Sequence, residues 1–169
     1  GNTLIEAGDE VTFVADARHA RLVTTQLKRR AKAARNVIIA GNAELSLGIV
    51  NALYEADEDE SVAIPSAIRV IEADRREARK LALALESRAS VLSGDFDDED
   101  TLLSAGMENC DLFIALSDDD ENNILSTLLA KKLGAKRTIA LVNRRIYGEL
   151  IEGSRIDVTV SQTQAALDE

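Results

Sequence analysis

The chain has one cysteine, one proline, one histidine and no tryptophan, and aromatic residues fill only 3% of its 169 positions. Each scarcity removes a class of explanation. A single cysteine, Cys110, forms no intrachain disulfide, which points to a reducing compartment. A single histidine, His19, without a cysteine cluster makes no ordinary zinc site, so no metal is expected. No apolar run approaches the roughly 20 residues that span a bilayer, and the opening GNTLIEAGDE lacks the basic and apolar regions of a signal peptide. The reading is a soluble, cytoplasmic chain with no direct membrane insertion. Positive charge is also short, with 20 Lys and Arg against 30 Asp and Glu, a net charge of -10. Such a surface repels nucleic-acid phosphates and releases no counterions on meeting them, so no nucleic-acid partner is expected.

What the chain does have is apolar residues, 46% of the total, enough for one domain core and an appendage. From Asn36 onward, β-rich runs alternate with helical patterns: NVIIAG, ELSLGIVNALYEA, AIRVIEA, DRREARKLALALES. A short strand SVLSGD (90–95), a short helix DEDTLLSAGM and the unbroken apolar run DLFIALS (111–117) follow. Then come a helix over 119–134 with acids first and lysines last, a strand RTIALV (137–142), a short helix RRIYGELIEGS and a strand IDVTVS (156–161). Strand and helix taking turns predicts an α/β fold, a doubly wound parallel sheet of about six strands, the Rossmann type. In the second helix Asp74 and Glu77 have capping-box spacing, and Ala78, Leu81, Ala82 and Leu85 follow on one face. The stretch EADEDESVAIPSA (55–67), with the only proline, reads as an exposed insertion.

Residues 1–35 fall outside this alternation. They offer a strand at Val11–Ala15 and a helix from about Asp16 that ends in the basic run KRRAKAAR. A lone strand needs partners, so this segment is expected to belong to a preceding domain, with the Rossmann-type domain over 36–169.

A dinucleotide site requires glycines at the first strand–helix turn, where backbone N–H groups meet the pyrophosphate. The pattern G-x-G-x-x-G falls on Gly41-Asn42-Ala43-Glu44-Leu45-Ser46, and only Gly41 matches. Glu44 adds a carboxylate at the helix end that a phosphate would use, and equally suits a first-turn acid in a purely structural turn. Glu72 ends the second strand, where the ribose-binding acid belongs; its distance from Gly41 exceeds the usual ~20 residues because of the insertion. A carboxylate there prefers ribose hydroxyls to a 2′-phosphate, which favours NAD or an adenosine nucleotide; the alternative is a surface acid. Gly94 and Asp95 after the third strand, and Ser117 after the fourth, point to the same crevice, though each alone suits an ordinary turn or cap.

At this point the residues acquire a family likeness. IEAGDEVTFVADARHARLV resembles the closing part of a TrkA-C (RCK-C) domain, and CDLFIALSDDDENNILSTLLAKKLGAKRTIALVNRRIYGELIEGSRIDVTVSQ is similar to the second RCK-N (KTN) domain of the TrkA family of potassium-uptake regulators. The resemblance implies a cytoplasmic regulatory subunit, peripheral at the inner face of the cell membrane, bound to a membrane potassium transporter. It also implies homo-oligomers and paired Rossmann domains that bind NAD(H) or ATP/ADP. On this likeness Gly41, Ala43 and Ser46 occupy the glycine-loop positions and Glu72 the ribose position. Gly94 and Asp95 stand near the adenosine part, and Ser117 at the fourth strand end. The departures at Ala43, Glu44 and Ser46 affect the phosphate contacts.

Three functions follow from these residues: a nucleotide-binding regulatory domain; a Rossmann scaffold for homo-oligomer assembly that no longer binds nucleotide; and an NAD-dependent oxidoreductase. The third is disfavoured, because His19 lies outside the Rossmann region and Cys110 precedes a buried strand, leaving no catalytic residue.

Overall fold

A computed structural model describes residues 11–14, 27–28, 30–55, 64–142 and 158–160. Its centre is a seven-stranded sheet: β1 (Val11–Val14), β2 (Asn36–Ala40), β3 (Ala67–Glu72), β4 (Ser90–Ser93), β5 (Leu112–Ala115), β6 (Arg137–Leu141) and β7 (Val158–Val160). In space the order is β4-β3-β2-β5-β6-β1-β7, and every pair is parallel. Helix α1 (Ala43–Tyr54) follows β2 and α2 (Arg75–Leu85) follows β3. Helix α3 (Glu99–Ser104) and a 3₁₀ turn (Met107–Asn109) separate β4 from β5, and α4 (Asp120–Leu133) links β5 to β6.

Parallel strands need crossovers, and the crossovers cover both faces of the sheet. Alternate residues of β2 and β5 therefore enter two separate cores. Val37, Ile39, Leu112, Ile114, Ile139 and Leu141 pack with Ile49 and Leu53 of α1 and Leu81 and Leu85 of α2. Ile38, Ala40, Phe113 and Ala115 pack on the other side with Leu102, Met107 and Ala130. All four residues of β5 are buried, which is why DLFIALS is apolar without alternation. Strand β4 is the opposite case: it is four residues long, lies at the sheet edge and exposes Ser90 and Ser93.

The helix ends follow the sequence signals. Asp74 caps α2 by accepting from the N–H groups of Arg76 and Glu77, and Asp119 caps α4 by accepting from that of Asn122. Gly134 ends α4 at φ +125. Ala78, Leu81 and Leu85 of α2 point inward, but Ala82, expected beside them, is exposed, since the buried stripe is one residue narrower.

The largest departure concerns β1. The strand is present, but its partners, expected in a preceding domain, lie in this sheet: Val11 to Val14 pair with Thr138 to Leu141, and Val11 to Phe13 with Val158 to Val160. Seven strands result where about six were expected. The helix expected over RRIYGELIEGS and most of the 55–67 insertion lie outside the described residues.

Candidate functional site

The chain runs from β2 to β3 to β4 on one side of the sheet and resumes with β5 and β6 on the other. The order thus reverses between β2 and β5, and in open α/β sheets ligands bind outside the carboxyl ends at that reversal. The two strands stay joined up to the bond from Leu116 N–H to the Ala40 carbonyl at 2.7 Å. Gly41 then turns away at φ +90, donating its N–H to Ile71 O at 3.0 Å. A Cβ on Gly41 would stand 2.7 Å from Ser117 N and 2.9 Å from Ser117 Cα. The turn after β5 itself therefore demands glycine at position 41.

The rest of the loop is occupied by the protein's own groups. Asn42, at φ +36, caps α1 by accepting from Leu45 N–H at 3.1 Å through Oδ1. Ala43, at the second glycine position, packs half-buried against the α1-side core. Ser46, at the third, is fully buried and donates its hydroxyl to the Gly41 carbonyl at 2.8 Å. Glu44 is exposed in the first turn. One helix N–H that a pyrophosphate could use is already taken by Asn42, and Glu44 brings negative charge to the positive end of the helix dipole. The glycine cradle of a dinucleotide site is not reproduced here.

The ribose side is different. Glu72 ends β3, next to the Gly41 turn, and is half-buried. Burial pushes its carboxyl above the ordinary 4.5, against a backbone hydrogen bond from Ala73, and the negative charges of Asp74 and Glu77 push it further. Gly94 donates its N–H to the Glu72 carbonyl at 3.0 Å, and a Cβ there would meet the Thr101 methyl at 2.9 Å. Asp95 is exposed, and its carbonyl accepts from Asp98 N–H. Among the described residues the carboxyl edge thus presents a half-buried acceptor, Glu72, suited to a pair of sugar hydroxyls.

Ser117 faces the turn from the β5 side, but its polar groups are engaged by a residue that the sequence reading passed over. Asn123 of α4 is fully buried. Its Oδ1 accepts from Ser117 N–H at 2.9 Å and Ser117 Oγ at 2.7 Å, while Nδ2 donates to Ser117 O at 2.9 Å and Leu141 O at 2.7 Å. All four bonding positions of the amide are filled. A signal was present in the sequence: Asp120, Asn123, Ser126, Thr127 and Ala130 recur at helical spacing, so α4 turns a small, polar stripe inward.

Other candidates separate from this site. A cavity of about 340 Å³ beside Asn36, Arg69, Gly106 and Asn109 opens at the amino ends of β2 and β3, across the sheet from the carboxyl edge. Burial pushes the Cys110 thiol up to about 12, which makes it a structural residue at neutral pH. His19 lies outside the described residues. Among the described residues no three His, Cys, Asp or Glu side chains gather as a metal site, and no helix is long and apolar enough to cross a membrane.

Comparison with known proteins agrees with this geometry. The chain is 36% identical over 167 residues to the Trk system potassium uptake protein TrkA of Haemophilus influenzae and 37% over 167 residues to that of Vibrio alginolyticus; each alignment covers 99% of this chain and 34% of the relative. It is 32% identical over 172 residues to a TrkA homolog 1 of Methanosarcina mazei, covering 100% of this chain and 36% of the relative. The chain thus spans about a third of the length of these relatives. A family model described as the TrkA-N domain matches residues 37–162, from the start of β2 past the end of β7, and the chain therefore belongs to the TrkA-N family.

Proposed function

We propose that this chain is part of a cytoplasmic regulatory subunit of a potassium-uptake system, held at the inner face of the membrane by a transporter. Its crevice binds NAD(H) or an adenine nucleotide and biases that transporter's gating. The relatives carry the potassium-uptake name, and the observation that carries the nucleotide reading is Glu72, a half-buried carboxylate at the end of β3 beside the chain reversal. On this reading residues 36–169 are the RCK-N domain, residues 1–35 are the end of a TrkA-C-like domain with its linker, and β1 is the part of that end that adds to the RCK-N sheet. Glu72 accepts from the ribose hydroxyls, Gly94 and Asp95 border the adenosine, and Gly41 and Ser117 shape the floor. The protein acts by binding, not as an enzyme. Homo-oligomer assembly belongs to the same reading.

A second reading has its own support. Asn42, Ala43 and Ser46 close the turn without a ligand, as expected of a scaffold half that no longer binds nucleotide. Calorimetric titration with NADH, NAD and ATP, in parallel with Glu72→Ala, separates the two. Saturable binding that is lost in the variant supports the regulatory reading; a folded protein that binds none of the three supports the scaffold. A ribose hydroxyl bonds best to an ionised carboxylate, so on the regulatory reading affinity declines as pH falls through the raised pKa of Glu72, and this pH dependence disappears in Glu72→Gln.

A further inference from the structure

We infer that Asn123 is a positioning residue that links the crevice to the chain leaving β6. The inference rests on the nucleotide reading above and concerns how a bound state travels out of the site.

The carboxyl ends of β5 and β6 are neighbouring strand ends. Beyond the last paired residues one side chain bridges them, since Asn123 holds the N–H, hydroxyl and carbonyl of Ser117 and the carbonyl of Leu141. The bridge is anchored from behind. Asn123 N–H donates to the Asp119 carbonyl, and the Asn123 carbonyl accepts from Ser126 Oγ. Ser117 Oγ also accepts from the Asp119 N–H at 3.2 Å. Ser117 in turn lies against Gly41 with no space for a methyl group.

A ligand that presses on the Gly41 turn therefore presses on Ser117, whose N–H, hydroxyl proton and carbonyl are all held by Asn123. A displaced amide releases or reorients the Leu141 carbonyl at the end of β6. The requirement is for an amide. An aspartate at 123 keeps the acceptor for Ser117 but loses both donors and sets a carboxylate against two carbonyls. The described part of the connection is a run of close contacts from Gly41 through Ser117 and Asn123 to Leu141, the arrangement that lets a small shift be passed on.

Hydrogen exchange measured by mass spectrometry on the full chain, with and without NADH or ATP, tests the inference. In the wild type, nucleotide should slow exchange about tenfold both in residues 116–119 and in 139–142, a size ordinary for coupled sites. In Asn123→Asp the slowing at 116–119 should persist while that at 139–142 falls below about twofold. Asn123→Ala gives the same readout if the aspartate variant does not fold, and the wild-type arm decides without either. Protection confined to 41–46 and 116–119 in the wild type overturns the link and leaves nucleotide binding standing. Protection of 139–142 that survives both substitutions also overturns it. No protection of any of these segments by either nucleotide overturns the nucleotide reading and this inference together.

Discussion

Two glycines seven residues apart should respond to alanine with opposite sign. Gly41 lies at φ +90, which costs a residue with a side chain about 1–2 kcal/mol. Its added Cβ would also sit 2.7 Å from Ser117 N and 2.9 Å from Ser117 Cα, backbone atoms that cannot swing aside. Relieving that overlap adds about 1–3 kcal/mol by the usual measure of overpacking. Gly41→Ala should therefore lose about 2–5 kcal/mol, with no ligand involved. Gly48 is inside α1, and a Cβ there meets nothing within 4 Å. Gly48→Ala should gain about 0.5–1 kcal/mol through helix propensity. Urea unfolding of both variants in nucleotide-free buffer measures the pair. A Gly41→Ala protein as stable as the wild type would refute the claim that Ser117 imposes the glycine, and would return position 41 to the ligand.

Two further outcomes test the electrostatics and the packing. Asp111 feels burial that would raise its pKa, but hydrogen bonds from Asn36 N–H, Lys136 and Arg35 N–H outweigh it and hold the carboxyl below the ordinary 3.8. A depressed folded pKa lends stability that is present above the unfolded value and lost as pH falls through the folded one. Asp111→Ala should cost about 1–2 kcal/mol at pH 7, chiefly from the two backbone donors it abandons. The gap to the wild type should close in acid unfolding curves as pH drops below 3.8. A gap independent of pH would show that shape rather than charge matters there. Thr138 is fully buried in β6, and its Oγ1 has no hydrogen-bond partner among the described residues. Thr138→Val removes that hydroxyl at constant shape and should raise stability by about 1 kcal/mol, read as a later urea midpoint; an earlier one would mean the hydroxyl is satisfied.

The strands from β2 to β6 were legible because both sheet faces are covered, so that NVIIA and LFIA carry their burial as unbroken apolar runs. Helix ends were legible where one side chain makes the cap, as at Asp74, Asp119 and Gly134. The position of β1 was not, because VTFV reads the same whether its partners lie in this sheet or another; pairing between residues 11 and 138 leaves no local mark. At the site, spacing located Gly41, Glu72, Gly94 and Ser117 along one edge but left the Gly41 turn open between a phosphate site and a structural turn; the contact that requires the glycine is with Ser117. Asn123 was legible only through the stripe Asp120, Asn123, Ser126, Thr127 and Ala130, because within DDENN alone an inward amide and an outward cap residue look alike.

These features bear on the kind of ligand site this edge can be. On the β2 side the turn is closed by Asn42 and Ser46, and on the β5 side by Asn123, so on the proposed regulatory reading a nucleotide would gain little from phosphate contacts and would rely on Glu72 and the surfaces near Gly94. Low affinity is compatible with regulation. A ligand shifts a conformational equilibrium by the difference between its affinities for the two states, and uniformly tight binding shifts nothing. A loop that is complete without ligand also keeps the domain folded when the nucleotide leaves, which a sensor requires and a dinucleotide-dependent enzyme does not. The same economy suits the bridge at Asn123, where four hydrogen bonds held by one amide can be exchanged together instead of being lost one at a time.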